Sequence, residues 1–180
     1  MNTWIVLLRG INVGGKNRLP MKSLVSLMED IGYCDVRTYI QSGNVVLRSE
    51  EHDPAMLCDR VRKAIAKNFG FEPGVQALTA PALQAIIAAN PFPHAVSEPS
   101  SLHVSFPSTA PAADLDAMRA LATPSEKFAV TASAFYLHAP DGIGRSRLAA
   151  SVEKLLGTEA TGRNWRTVTR LAEMAGAERD

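Results

Sequence analysis

Apolar residues along the chain change their period in an ordered way. Trp4 to Leu8 is an apolar run of strand length closed by Arg9-Gly10, the pattern of a buried strand. After Pro20, the residues Met21, Leu24, Val25, Met28 and Ile31 recur at three- and four-residue spacing up to Gly32, which predicts an amphipathic helix with a glycine stop. Val36, Thr38 and Ile40 alternate with Arg37, Tyr39 and Gln41. A second strand from Asn44 to Arg48 follows Ser42-Gly43, so the two form a hairpin. Asp53-Pro54 opens a helix whose stripe is Leu57, Val61, Ala64, Ile65 and Phe69, stopped at Gly70, and Val75 to Thr79 reads as a short strand.

The order β-α-β-β-α-β is the split arrangement of ferredoxin-like domains, in which two helices cover one face of a four-stranded antiparallel sheet. A helix capped by Thr79 comes next, with Leu83, Ile86 and Ile87 on its apolar side, and then a stretch rich in Pro and Ser from Asn90 to Ser101. Beyond it, Leu102, Val104 and Phe106 predict a strand, and Leu115, Met118 and Leu121 a helix. Phe128–Val130 and Phe135–Leu137 predict a hairpin, and Leu148, Val152, Leu155 and Leu156 a helix ending at Gly157. The second half thus repeats the first without its last strand, and a final helix runs from about Trp165 to Ala175. The expected fold is α+β, a duplicated ferredoxin-like sandwich, with one half over 1–90 and the other, with the extra helix, over 91–180.

Composition narrows the function classes. The 180 residues carry 19 Lys+Arg against 18 Asp+Glu, a net charge of +1 that argues against coating nucleic acid by bulk charge. With 46% hydrophobic residues the chain can bury a core without metals or disulfides, and no run approaches a membrane span. The opening Met1-Asn2-Thr3-Trp4-Ile5 lacks the basic region of a signal peptide, so a cytosolic protein is expected. Cys34 and Cys58 match no metal or redox spacing and read as half-buried free thiols. No cofactor is expected.

Three segments are candidates for chemistry. Gly10-Ile11-Asn12-Val13-Gly14-Gly15-Lys16-Asn17 follows a strand and fits G-x-x-x-x-G-K, but Asn17 replaces the magnesium-binding hydroxyl and Pro20 starts the helix several residues late. A nucleotide-hydrolysing loop is therefore rejected. An anion nest formed by Gly14 and Gly15 survives beside the alternative of a flexible basic loop, because residues 1–22 hold Arg9, Lys16, Arg18 and Lys22 and no Asp or Glu. In Tyr39-Ile40-Gln41-Ser42-Gly43-Asn44, turn chemistry explains Gly43 and Asn44, while Gln41 and Asn44 could present an amide to a ligand. The third segment pairs Asp141-Gly142-Ile143-Gly144-Arg145-Ser146-Arg147 with Thr161-Gly162-Arg163-Asn164-Trp165-Arg166, each leading into a helix, with Ser146 and Asn164 as N-caps. Arginines at helix starts oppose the dipole by about 0.3–1 kcal/mol each. Either a bound anion offsets that cost or carboxylates elsewhere in the fold do. Trp165 reads as core, with base stacking as the alternative. His103 and His138 lie opposite the apolar alternation of their strands, where they could share an exposed sheet face, and no histidine pair has metal spacing.

Several of these segments carry a resemblance. Leu7 to Asn17, Tyr39 to Val46, Pro140 to Ser146 and Arg163 to Val168 resemble the signature blocks of domain-of-unknown-function family 1697. The resemblance implies a bacterial protein without an assigned activity and a duplicated ferredoxin-like fold. It also implies a Lys where this chain has Arg147, which keeps the charge and changes the donor geometry. The leading expectation is a binding protein for an anionic small molecule or short nucleic acid, monomeric or homodimeric and not membrane-bound. Its ligand residues would be Arg9, Asn12, Gly14, Gly15, Lys16, Arg18, Gln41, Asn44, Arg145, Ser146, Arg147, Arg163, Asn164 and Arg166. The alternatives are an interaction module acting through sheet edges, and an enzyme on a phosphorylated or nucleotide substrate with Asp141, Tyr39 or a histidine as acid/base.

Overall fold

A computed structural model describes residues 1–177. The elements run β1 (Asn2–Arg9), α1 (Met21–Asp30), β2 (Cys34–Tyr39), β3 (Asn44–Ser49), α2 (Pro54–Phe69), β4 (Gly74–Thr79), α3 (Ala80–Ala88), β5 (Leu102–Pro107), α4 (Leu115–Leu121), β6 (Lys127–Val130), β7 (Phe135–His138), α5 (Arg147–Ala150), α6 (Val152–Leu156), β8 (Ala160–Asn164) and α7 (Trp165–Gly176). A 3-10 turn, Pro93–Ser97, lies between α3 and β5. The chain divides into two compact units: residues 1–84 together with the described residues from Arg170 onward, and residues 85–169. It passes from the first to the second within α3 and returns within α7.

The first unit is one antiparallel sheet in the order β2-β3-β1-β4. Trp4, Val6 and Leu8 of β1 project to one face with Val45 and Leu47 of β3, where Leu24 and Met28 of α1 and Leu57, Val61 and Ile65 of α2 close over them. Pro20 occupies the cap position of α1, Asp53 caps α2 by accepting from the Ala55 N–H, and Gly70 ends α2 at φ 76°. The other face is buried too: Ile5, Leu7 and Val46 are inaccessible, and Arg37, which shares it, donates to the Met174 carbonyl of α7. Burial on both faces is why Trp4 to Leu8 is continuously apolar instead of alternating.

The second unit repeats this plan with the order β6-β7-β5-β8, so the duplication is complete. The strand absent from the sequence reading is β8, Ala-Thr-Gly-Arg-Asn, paired antiparallel with β5 from His103↔Asn164 to Pro107↔Ala160. Its small and polar residues give no apolar alternation, although Ala160 enters the core and its N–H donates to Glu153 Oε1 at 2.9 Å. The helix expected from Leu148 to Gly157 is instead two short segments, α5 and α6, broken at Ser151. Phe135 and Leu137 meet Met118, Leu148, Leu155 and Leu156 on one sheet face, while Tyr136, on the other, donates its hydroxyl to the Ile86 carbonyl at 2.6 Å. No helix among the described residues is long and apolar enough to cross a membrane.

The turn joining β2 to β3 is held at Gly43, whose φ is 76° and whose carbonyl accepts the Leu8 N–H at 2.8 Å. A Cβ there would lie 2.6 Å from Leu8 Cβ and 2.8 Å from Ile11 Cδ1. Gly43→Ala therefore combines left-handed strain with a collision against the buried sheet, a loss of about 2–4 kcal/mol. Urea denaturation should show the midpoint falling accordingly, and a variant within 0.5 kcal/mol of the parent, about the size of an ordinary surface change, would contradict this account of the turn.

A cleft and two basic loops as candidate sites

In the first unit, the loop after β1 is ordered by two asparagines. Asn12, at φ 53°, accepts the Leu19 N–H on Oδ1 at 2.8 Å, and its Nδ2 donates to the carbonyls of Leu19 and Gln41, each at 2.9 Å. Asn17, at φ 50°, donates to the Gly10 carbonyl at 2.9 Å. Between them Val13 and Lys16 form a bridge across Gly14 and Gly15, both at positive φ, so the tip is a type I′ hairpin turn. The Asn12 and Lys16 N–H groups are spent inside the loop, on Asn17 and Val13. The segment is thus a hairpin finger tied by its own bonds, with Gly14 and Gly15 exposed at its tip. Lys16 and Arg18 are exposed on it without an ion-pair partner among the described residues, and Val13 is 68% exposed. Arg9 lies against Gly74, where a Cβ would come 2.9 Å from its Nε.

Two expectations for the neighbouring turn change. Asn44 is fully buried as the first residue of β3, donating to the Tyr39 carbonyl and the Ser42 hydroxyl, so its amide faces no ligand. Positive φ falls on Gly43 and on exposed Ile40, at 48°, instead of on Asn44. Gln41 is exposed, and its backbone carbonyl accepts from Asn12.

In the second unit, Ser146 is buried and caps α5 by accepting from the Ala149 N–H at 3.0 Å, and Asn164 accepts from Thr167 at 3.0 Å in the same manner. The Ser146 hydroxyl oxygen and the Asn164 amide oxygen therefore serve helix starts. Arg145, Arg147 and Arg166 are exposed and have no ion-pair partner among the described residues. Arg48, Lys63, Arg119 and Arg170, by contrast, pair with Asp35, Asp59, Asp116 and Glu173 at 2.7–3.4 Å. Arg163 is different again: half-buried on the β8 strand opposite Val104, it donates to the Gly162 carbonyl at 2.8 Å, and desolvation lowers its pKa to about 10. It remains charged at neutral pH, held against the sheet. Trp165 is core, as expected.

One cavity gathers sequence-identified residues. A cleft of about 480 Å³ is lined by Thr123, Pro124, Ser125, Glu126, Ala139, Asp141, Gly142, Arg145 and Ser146, within the usual range for small-ligand pockets. Ser125 Oγ donates to Asp141 Oδ2 at 2.6 Å, Thr123 Oγ1 lies 3.2 Å from Ser125 Oγ, and the Thr123 N–H donates to Glu126 Oε2 at 2.9 Å. The Gly142 N–H is spent on the Ala139 carbonyl. Arg147, Arg163, Asn164 and Arg166 do not line it. Thr123, Ser125 and Glu126 escaped the sequence reading, although the β6–β7 hairpin carried the signal: its register, continued past Lys127↔His138, brings Ser125 abreast of the 140–141 turn.

His103 and His138 do not share a face. His138 pairs with Leu102 and His103 with Leu137, so the two rings lie on opposite sides of the sheet, and His103 Nε2 and His138 Nδ1 are buried without a hydrogen-bond partner. His138 instead packs on His94, ring centroids 5.2 Å apart. Among the described residues no group of three or more His, Cys, Asp or Glu is placed to hold a metal.

A family model described as "Protein of unknown function (DUF1697)" matches residues 1–136. The chain belongs to that family. The blocks at 140–146 and 163–168 lie beyond the matched stretch. A conserved bacterial protein, SP0830, from Streptococcus pneumoniae has the same fold: TM-score 0.72 and 22% identity, over 97% of this chain and 98% of that one. No curated protein matches.

Burial pushes the His103 imidazole below its ordinary value, against a backbone hydrogen bond at Ser100 that pulls it up. With a folded pKa below the unfolded one, the unfolded chain takes up the proton first. The His103 contribution is therefore nil above about pH 6.5 and becomes destabilising as pH falls below it. Denaturation of the parent and of His103→Gln from pH 8 to 5 should diverge only on the acid side, by at most about 1.4 kcal/mol per pH unit. Parallel profiles would contradict the assignment.

Proposed function

We propose that this chain is a cytosolic binding protein for a small anionic ligand, seated in the 480 Å³ cleft of the second unit. One observation carries the reading: Arg145, the cation in the lining of the cleft, has no ion-pair partner among the described residues. A guanidinium left beside a concavity keeps all its donors for a planar or tetrahedral oxyanion. The dimensions favour a phosphorylated metabolite or nucleotide over a polymer.

A second reading rests on the finger of the first unit. Lys16 and Arg18 project from a convex hairpin in a stretch, residues 1–22, that holds no carboxylate. A convex cationic tip suits a phosphate backbone better than an enclosed metabolite, and its affinity would fall steeply with salt. The two readings separate by which cation matters.

Thermal melts against inorganic phosphate, sugar phosphates, nucleotides and short RNA, each at low and high salt, test both. A cleft ligand at about 100 times its dissociation constant adds about 2.7 kcal/mol and should raise the midpoint by roughly 5–10 °C. Arg145→Ala should abolish that shift and Lys16→Ala should leave it intact. A shift that survives Arg145→Ala removes the cleft reading.

A further inference from the structure

The cleft holds more than a cation. The lining that holds Arg145 also holds Asp141, whose Oδ2 already accepts the Ser125 hydroxyl at 2.6 Å, and Glu126, whose Oε2 accepts the Thr123 N–H at 2.9 Å. Each carboxylate is thus fixed by one short bond and keeps its second oxygen. An ionised carboxylate accepts hydrogen bonds and donates none, so those oxygens call for donors on whatever fills the space. Thr123 and Ser125 form a hydroxyl pair, 3.2 Å apart, that fixes the Asp141 orientation from behind.

This lining discriminates among anions. A bare phosphate entering the cleft meets Arg145 but also two fixed carboxylates, and like charges at short range oppose it. A long polyanion meets the same repulsion at every phosphate that approaches. A small molecule that places its anionic group on Arg145 and hydroxyl or ammonium donors on Asp141 satisfies both signs of charge in one pose. Specificity then comes from the carboxylate, because a ligand without a donor leaves it desolvated and unpaired.

We infer that the ligand class of this cleft is a small anion that also carries hydrogen-bond donors, such as a phosphorylated polyol or sugar, with Arg145 taking the anionic group, Asp141 the donor and Ser125 positioning Asp141. This rests on the small-anion reading of the same cleft and names its substrate class. Asp141 is exposed, and no helix or strand depends on its side chain, so the uncharged isostere tests it without disturbing the fold.

Calorimetric titration with inorganic phosphate and with glycerol 3-phosphate, on the parent, Arg145→Ala and Asp141→Asn, decides the matter. The parent should bind glycerol 3-phosphate more tightly than phosphate. Asp141→Asn should weaken glycerol 3-phosphate about tenfold, the scale of one charge-assisted hydrogen bond, and leave phosphate unchanged or tighter. Arg145→Ala should weaken both. If Arg145→Ala weakens both probes while Asp141→Asn changes them equally, the anion site stands and its donor recognition is overturned. If neither probe binds the parent, or Arg145→Ala changes nothing, the anion site falls and this inference with it.

Discussion

The central strand of each sheet, paired on both edges, is the constraint on which the rest depends; β1 is buried on both faces, and β5 is fully buried on one face and half-buried on the other. β1 hydrogen-bonds to β3 and β4 along its length, and Ile5, Val6 and Leu7 have no exposed surface. β5 stands in the same place between β7 and β8. A strand enclosed as β1 is offers no side chain to a ligand, and burying charge along it is costly unless the charge is paired and hydrogen-bonded. Chemistry is displaced to where strands end, and the candidate residues gather there: the finger after β1, the 140–147 loop after β7, and the turn into β6.

Rigid loops follow from the same constraint. A loop springing from a fully buried strand must satisfy its own backbone groups, because none of the sheet's remain to pair with them. Asn12 does this in the first unit, with one side chain serving Leu19 twice and Gln41 once. In the second unit Ser146 and Asn164 do it as helix caps. The polar residues that sequence alone offered as ligand contacts are largely consumed in this role, and the charged ones are left over. Arg145, Arg147, Arg166, Lys16 and Arg18 have no ion-pair partner among the described residues, while Lys63, Arg119 and Arg170 pair with carboxylates three or four residues away and Arg48 pairs with Asp35 on the neighbouring strand. That division between structural amides and unspent cations is what points to an anionic ligand.

Much of the architecture was legible because burial writes periodicity into sequence. Met21 to Ile31 and Leu57 to Ile65 each had one apolar side, and the helices formed where the stripes lay. β8 left no such trace, since Ala160-Thr161-Gly162-Arg163-Asn164, paired with β5, contributes only Ala160 to the apolar core. The histidines misled for a related reason. On strands buried from both sides, lying opposite the apolar alternation does not mean facing solvent, and His103 and His138 ended on opposite, partly buried faces. Asn44 misled because turn-forming residues and strand-starting residues look alike beside glycine. The cleft is assembled from the two flanks of the β6–β7 hairpin, so only its later flank, which carries a basic glycine-rich loop, stood out in the sequence.

Titrating isotopically labelled protein with glycerol 3-phosphate while following its backbone amide resonances addresses the central claim most directly. A small anion seated by Arg145 predicts saturable shifts concentrated at residues 123–126 and 141–146, with the 12–18 finger unmoved. Shifts confined to the finger, or spread without saturation over every exposed cation, would contradict it.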